Sequence, residues 1–136
     1  MNCLVDTHYL LWSLVSPEKI DEYVRQILLS EEHTKYASVV SFWEISIKYA
    51  LGKLVLDGLT PEAIVGAGAG AGYEFLGLKP LVAATHHQLP KRDDHKDPFD
   101  RLLIWQAMRE GMAFLSSDEK IHAYREHGLR TASDVR

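Results

Sequence analysis

Short apolar runs alternate with segments of helical periodicity from one end of this 136-residue chain to the other. Such alternation admits few folds, because each strand–helix–strand unit packs its helix back onto a mostly parallel sheet by a right-handed crossover. Cys3–Val5, Tyr36–Val40, Phe75–Leu78 and Ala113–Leu115 read as four strands, and Leu129–Ala132 adds a short fifth. The first is apolar and the second is a β-branched run ended by Ser41, as suits buried parallel strands. Helical patterns fill the intervals: Pro17 to about Ser30, with Ile20, Val24, Ile27 and Leu28 on one face; Phe42–Leu51, closed by Gly52; and Pro98–Glu110, closed by Gly111. Helix starts are well marked. Ser41-Phe-Trp-Glu44 has the spacing of a capping box, Thr60-Pro61 and Lys79-Pro80 place proline in a first turn, and Asp97 stands as a cap before Pro98. With 46% hydrophobic and 25% charged residues the balance is globular, and no linker interrupts it, so one α/β domain over residues 1–136 is expected.

Four acids, Asp6, Glu44, Asp100 and Asp118, each follow an apolar run at the start of a helical segment. Residues just past the carboxyl ends of parallel strands meet at one sheet edge, so four distant carboxylates are expected in one pocket. Capping alone accounts for Glu44 and Asp97, since acids in a first helical turn favour the macrodipole. Asp6 is different. It follows Leu4 and Val5 directly, where a core-flanking acid loses hydration unless it has a partner or a cation. Asp100 lies at the head of a helix made apolar by Leu102, Leu103, Ile104 and Trp105, and Asp118 follows Ser116 and Ser117, which are placed to cap or to bond a carboxylate. Oxygen-rich sites of this kind suit Mg²⁺ or Mn²⁺. A cation so held activates water and stabilises charge on a phosphoryl oxygen, which makes phosphodiester hydrolysis the natural reaction and requires no Ser, Cys or His nucleophile.

Other features narrow the field. Cys3 is the sole cysteine, so an intrachain disulfide and a multi-cysteine zinc site are excluded. A net charge of −4 argues against a broad basic nucleic-acid face, although Lys91, Arg92, Lys96 and Arg101 offer a local basic rim. The apolar stretch Leu10–Val15 is too short to span a bilayer and lacks a basic leader, so a cytoplasmic protein is expected. His8, His86, His87 and His95 match no zinc spacing and read as surface or supporting groups. Trp12, Trp43 and Trp105 lie in apolar helical patterns and are assigned to packing or a dimer interface rather than to base stacking. The Gly66–Gly72 tract ends a helix instead of opening one, unlike a nucleotide-binding loop, and its glycines lower helix stability.

Leu-Val-Asp6-Thr7-His8, Ser41-Phe-Trp43-Glu44-Ile-Ser-Ile-Lys48, His95-Lys-Asp97-Pro98-Phe99-Asp100-Arg101 and Ser116-Ser-Asp118 occur in the order seen in PIN-domain ribonucleases. Over essentially its whole length the chain resembles the VapC-type toxins of toxin–antitoxin systems. The resemblance implies a Rossmann-like α/β/α sandwich around a mostly parallel sheet of four or five strands. It also implies Mg²⁺- or Mn²⁺-dependent endoribonuclease activity, a cognate antitoxin partner and a homodimer. On this alignment Asp6, Glu44 and Asp100 are the principal acids and Asp118 the more variable fourth, with Asp6 and Asp100 as direct metal ligands. Thr7, His8, Ser41, His95 and Ser116 become supporting or substrate-contacting groups, and Arg101 pairs with the third acid or with an RNA phosphate. The Gly-Ala tract departs from the better helix formers usual in the family. Rival readings are an RNA-processing nuclease without a toxin role, a non-cleaving subunit that binds RNA or antitoxin, and a haloacid-dehalogenase-type phosphatase. The last wants a second aspartate where His8 stands.

Overall fold

A computed structural model describes residues 1–136. Five strands, β1 (Asn2–Val5), β2 (Thr34–Ser38), β3 (Glu74–Leu76), β4 (Ala113–Leu115) and β5 (Arg130–Thr131), form one sheet in the order β3-β2-β1-β4-β5. Every pairing is parallel. Six α-helices cover it: α1 (Thr7–Val15), α2 (Glu22–Leu29), α3 (Val39–Ala50), α4 (Pro61–Gly70), α5 (Pro80–Thr85) and α6 (Pro98–Glu110). None is long and apolar enough to cross a membrane.

The period-two alternation of the strands divides the core into two layers. Cys3, Val5, Ala37, Ala113 and Leu115 face Leu10, Val24, Ile27, Ile45 and Ile64 from α1 to α4. On the opposite face Leu4, Leu76 and Phe114 meet Val82 of α5 and Leu103, Ile104 and Trp105 of α6. Both sheet faces are therefore buried, which explains why the central strands are apolar without alternation.

The expected α/β/α sandwich is present, with differences in its local boundaries. Helix α6 spans the expected residues, capped by the Asp97 carboxylate and ended by Gly111 at φ +69°. Helix α3 starts earlier than expected, and Ser38, not Ser41, is its cap. The Ser38 hydroxyl accepts from the Val40 amide at 3.0 Å and donates to Gln106 Oε1 at 2.6 Å. Burial of Val40 against α6 holds the β-branched pair Val39-Val40 in the helix despite its strand preference. Strand β2 accordingly ends at Ser38, so Ser41 and Glu44 lie inside the helix and form no capping box. The helix expected over Pro17–Ser30 is a 3₁₀ turn, Pro17–Lys19, followed by α2, because Asp21 caps a new start at Glu22 by accepting from the Tyr23 amide. Residues Leu10–Val15 belong to a separate helix, α1. The Gly-Ala tract ends α4, as expected, and buried Gly68 lies against the Phe75 ring.

Ser38→Ala removes a cap and strands a buried amide oxygen of Gln106, so a loss of about 2 kcal/mol is expected. Ser41→Ala is expected to cost about half that or less, because it loses one hydroxyl contact and no cap. Urea midpoints of the two variants measure the difference, and the reverse ranking would return the cap to Ser41.

Candidate metal centre

The chain leaves β1 for β2 on one side and later reaches β4 on the other, which opens a crevice beyond the carboxyl ends of β1 and β4. Asp6 is the first residue past β1. Its amide donates to Leu115 O at 3.0 Å, which holds it beside the end of β4. Its carboxylate caps α1 by accepting from the Tyr9 amide at 2.7 Å. The residue is only 3% exposed. Burial pushes its carboxyl up to about 6; the Ser116 hydroxyl, the Tyr9 amide and His8 favour the ionised form, while the charge of Asp100 opposes it.

Glu44 reaches the crevice from the second turn of α3 and is equally buried. Thr7 donates to its Oε1 at 2.6 Å, and Lys48, one turn on, pairs with its Oε2. Thr7 Oγ1 also lies 3.0 Å from Ser41 Oγ. Because a hydroxyl has a single proton, a Thr7 committed to Glu44 accepts from Ser41. Burial alone lowers the Lys48 ammonium, but the Glu44 hydrogen bond and the charges of Glu44, Asp97 and Asp100 raise it above its ordinary value.

Asp100 stands in the first turn of α6, where the helix macrodipole favours a carboxylate. Its carboxyl is nonetheless raised, by burial first and then by the charges of Asp97 and Glu44, with His95 acting the other way. Asp118 is more open. It caps the 3₁₀ stretch Glu119–His127 by accepting from the Lys120 amide, and its own amide donates to Ser116 Oγ at 3.1 Å. His95 joins the last two acids, with Nε2 at 3.6 Å from Asp100 Oδ2 and 3.7 Å from Asp118 Oδ2.

Asp100 thus lies near enough to Asp6 to raise its carboxyl and is itself raised by Glu44, and Asp118 is linked to Asp100 through His95. Thr7, Ser41 and Ser116 all touch the acids or their partners. His8 is exposed on α1, its ring tilted against Trp12 at 5.8 Å. Of the two partners expected for Arg101, the structure does not supply the acid: its guanidinium forms no ion pair with Asp100 and donates to Leu89 O, Pro90 O and the Tyr124 hydroxyl. The loop ahead of α6 has carbonyls without other donors, and these claim the arginine. Lys91, Arg92, Lys96 and Arg101 do gather, lining a cavity of about 410 Å³ beside His95. Of the tryptophans, Trp105 is buried, Trp12 is half-buried, and Trp43 is 61% exposed with its edge on Phe99. Lys48 and Tyr124 were given no role from the sequence. The Glu44–Lys48 spacing of one helical turn was a usable signal for the first, whereas nothing local marked the second.

A parallel α/β sheet with buried carboxylates at its switch point defines a class of oxygen-donor, cation-binding sites. Residues 3–126 match the PIN domain, and the chain belongs to that family. This sets aside the phosphatase reading. The fold is similar to a chain of VapBC2 from Rickettsia felis bound to a promoter DNA fragment, with a TM-score of 0.66 and 16% identity over 96% of this chain and 97% of that one. It is also similar to chains of VapBC-1 from nontypeable Haemophilus influenzae (0.63, 18%, covering 96% of each) and FitAcB from Neisseria gonorrhoeae (0.61, 19%, covering 95% of each). Comparison with curated protein sequences finds no match.

Asp6 ionises near pH 6 when folded and near its ordinary 3.8 when unfolded, so folding favours its protonated form. The stability this contributes is complete below about pH 4 and is lost as pH rises through 6. In metal-free buffer Asp6→Asn keeps the cap without the charge. It is therefore expected to exceed wild-type stability at pH 7 by up to about 3 kcal/mol, with the gap closing towards pH 4. Denaturant unfolding in chelator at pH 4, 5.5 and 7 checks this, and a less stable variant at pH 7 would contradict it.

Proposed function

We propose that the chain is a metal-dependent endoribonuclease that hydrolyses RNA phosphodiester bonds, acting as the toxin of a type II toxin–antitoxin pair. The observation that carries this reading is the gathering of acids at the switch point, where Asp6 and Glu44 are buried and the His95 ring stands between Asp100 and Asp118. Such a set lacks compensating positive charge, and only Lys48 contributes a full cation, to Glu44. A divalent ion such as Mg²⁺ or Mn²⁺ supplies the missing charge, lowers the pKa of a bound water and offsets charge on the phosphoryl oxygens.

In this reading Asp6 and Asp100 hold the ion directly, and Glu44 and Asp118 complete its surroundings directly or through water. Thr7 and Lys48 fix the Glu44 carboxylate so that it need not reorganise when substrate arrives. Ser116 orients Asp118 through its backbone amide and lies beside Asp6. Lys91 and Lys96 form no ion pair and are exposed on the basic cavity next to the acids, so they suit contacts to RNA phosphates flanking the scissile bond. Unpaired RNA is the substrate form in this reading, because its backbone and splayed bases adapt to a protein surface as a duplex does not. His8, exposed at the head of α1, is a further substrate contact in this scheme.

An antitoxin partner and a homodimer are supported by the apolar surface that α3 and the segment after it leave uncovered, where Trp43, Leu51 and Val55 are 61%, 62% and 82% exposed. The structural relatives from Rickettsia felis and Haemophilus influenzae are described as VapBC assemblies, which agrees with a partner-bound state.

Asp100→Asn is expected to reduce cleavage of single-stranded RNA by on the order of a hundredfold or more in Mg²⁺ or Mn²⁺ buffer. Chelation should abolish wild-type cleavage, and added Mn²⁺ should restore it. Gel analysis of a labelled RNA reads both effects. Wild-type rates in the variant, or cleavage indifferent to chelator, would remove the assignment.

A further inference from the structure

His95 is buried to 4% exposure, and its two ring nitrogens have different surroundings. Nδ1 lies 2.9 Å from the Tyr124 hydroxyl, whose oxygen also receives Arg101 Nη1 at 2.8 Å. Tyr124 is fully buried, its ring meets His95 edge-on at 5.6 Å, and Arg101 is anchored on the Leu89 and Pro90 carbonyls. The imidazole is therefore held in one orientation by a chain of fixed groups. Nε2, in contrast, is buried with no hydrogen-bond partner. It faces Asp100 Oδ2 at 3.6 Å and Asp118 Oδ2 at 3.7 Å, too far for a hydrogen bond. A buried polar atom without a partner is costly and asks for an explanation.

The distances supply one. Two donors each about 2.1 Å from a shared ion, at angles of 90–110°, stand roughly 3.0–3.5 Å apart. The Nε2 and carboxylate oxygens are within a few tenths of an ångström of that spacing, and ligand atoms of His95, Asp100 and Asp118 all lie within 4.8 Å of one another. With its proton on Nδ1, shared with Tyr124, the imidazole directs the Nε2 lone pair between the two carboxylates, the arrangement usual for a metal-binding histidine and its outer partner.

We propose that His95 Nε2 is a direct nitrogen ligand of the divalent cation, alongside Asp100 and Asp118, and that this mixed imidazole–carboxylate set selects Mn²⁺ over Mg²⁺. The inference rests on the reading of the acidic crevice as a cation site, and it adds a ligand and a selectivity to that reading. Mg²⁺ takes oxygen donors almost alone, whereas imidazole nitrogen favours transition-metal ions. Tyr124 and Arg101 act as positioning residues for the ring.

Pulsed electron paramagnetic resonance of the purified full chain with one equivalent of Mn²⁺ tests this directly. The wild type is expected to show nitrogen modulation from a coordinated imidazole, and His95→Gln to lose it. Calorimetric titration should give a Mn²⁺ affinity lower by about tenfold or more in His95→Gln, with Mg²⁺ affinity changed far less, and a loss of several-fold or more in Tyr124→Phe with the modulation retained. Stoichiometric Mn²⁺ binding without nitrogen modulation in the wild type would overturn the proposal while leaving the acidic site intact. Absence of Mn²⁺ binding, or binding unaffected by Asp100→Asn, would remove the cation site itself and the proposal with it. Should His95→Gln not fold, His95→Asn gives the same readout, and nitrogen modulation retained in that variant would overturn the proposal.

Discussion

Concentrated negative charge at one edge of a parallel sheet is the constraint on which the rest of this molecule depends. The strand order β3-β2-β1-β4-β5 leaves a crevice beyond β1 and β4, and Asp6 occupies its floor. A carboxylate there loses most of its hydration. The Tyr9 amide and the Ser116 hydroxyl offset part of that cost, yet burial still holds the group near 6. Glu44 has its own cation in Lys48, whereas Asp100 is raised by burial and by its acidic neighbours. The site is therefore short of positive charge as the polypeptide alone builds it. That deficit is what the proposed cation would make good.

The surrounding structure keeps these groups from relaxing away. Two apolar layers, one on each sheet face, fix the strand ends that carry Asp6 and Ser116 and the helices that carry Glu44 and Asp100. Hydrogen bonds then set individual side chains: Thr7 orients Glu44, Asp97 caps the turn that presents Asp100, and the Tyr124–Arg101 pair holds His95. Rigid presentation of mutually repelling carboxylates lowers the stability of the metal-free protein. Binding sites commonly trade stability for function in this way.

The alternation of apolar runs with helical segments carried the architecture, because a doubly covered parallel sheet demands that pattern. Helix α6 was legible from its cap, proline and terminal glycine, which all act locally. The start of α3 was not, since Val39 and Val40 favour strand by themselves and are held in the helix by the packing of Val40 against α6, which local sequence does not record. At the site, the strand-then-acid pattern was enough to bring forward Asp6 and Asp118, and the acid at the head of an apolar helix brought forward Asp100. Glu44 was also singled out, but as part of a capping box that the structure replaces with Thr7 and Lys48 contacts. Arg101 and His95 show the limit most clearly. The partners of Arg101 are carbonyls eleven and twelve residues away and a tyrosine hydroxyl twenty-three residues on. The orphaned Nε2 of His95 exists only once α6 and the end of β4 are brought together.

The central claim is that these acids form one cation site whose Asp6 carboxyl is half-protonated near pH 6 in the metal-free protein. Metal binding to such a site must displace the proton. Calorimetric titration with Mn²⁺ in buffers of differing ionisation enthalpy counts protons released per ion bound. The account predicts a release of at least about half a proton at pH 6, falling towards zero by pH 8. Mn²⁺ binding with no proton release at pH 6, or no binding at either pH, would contradict it.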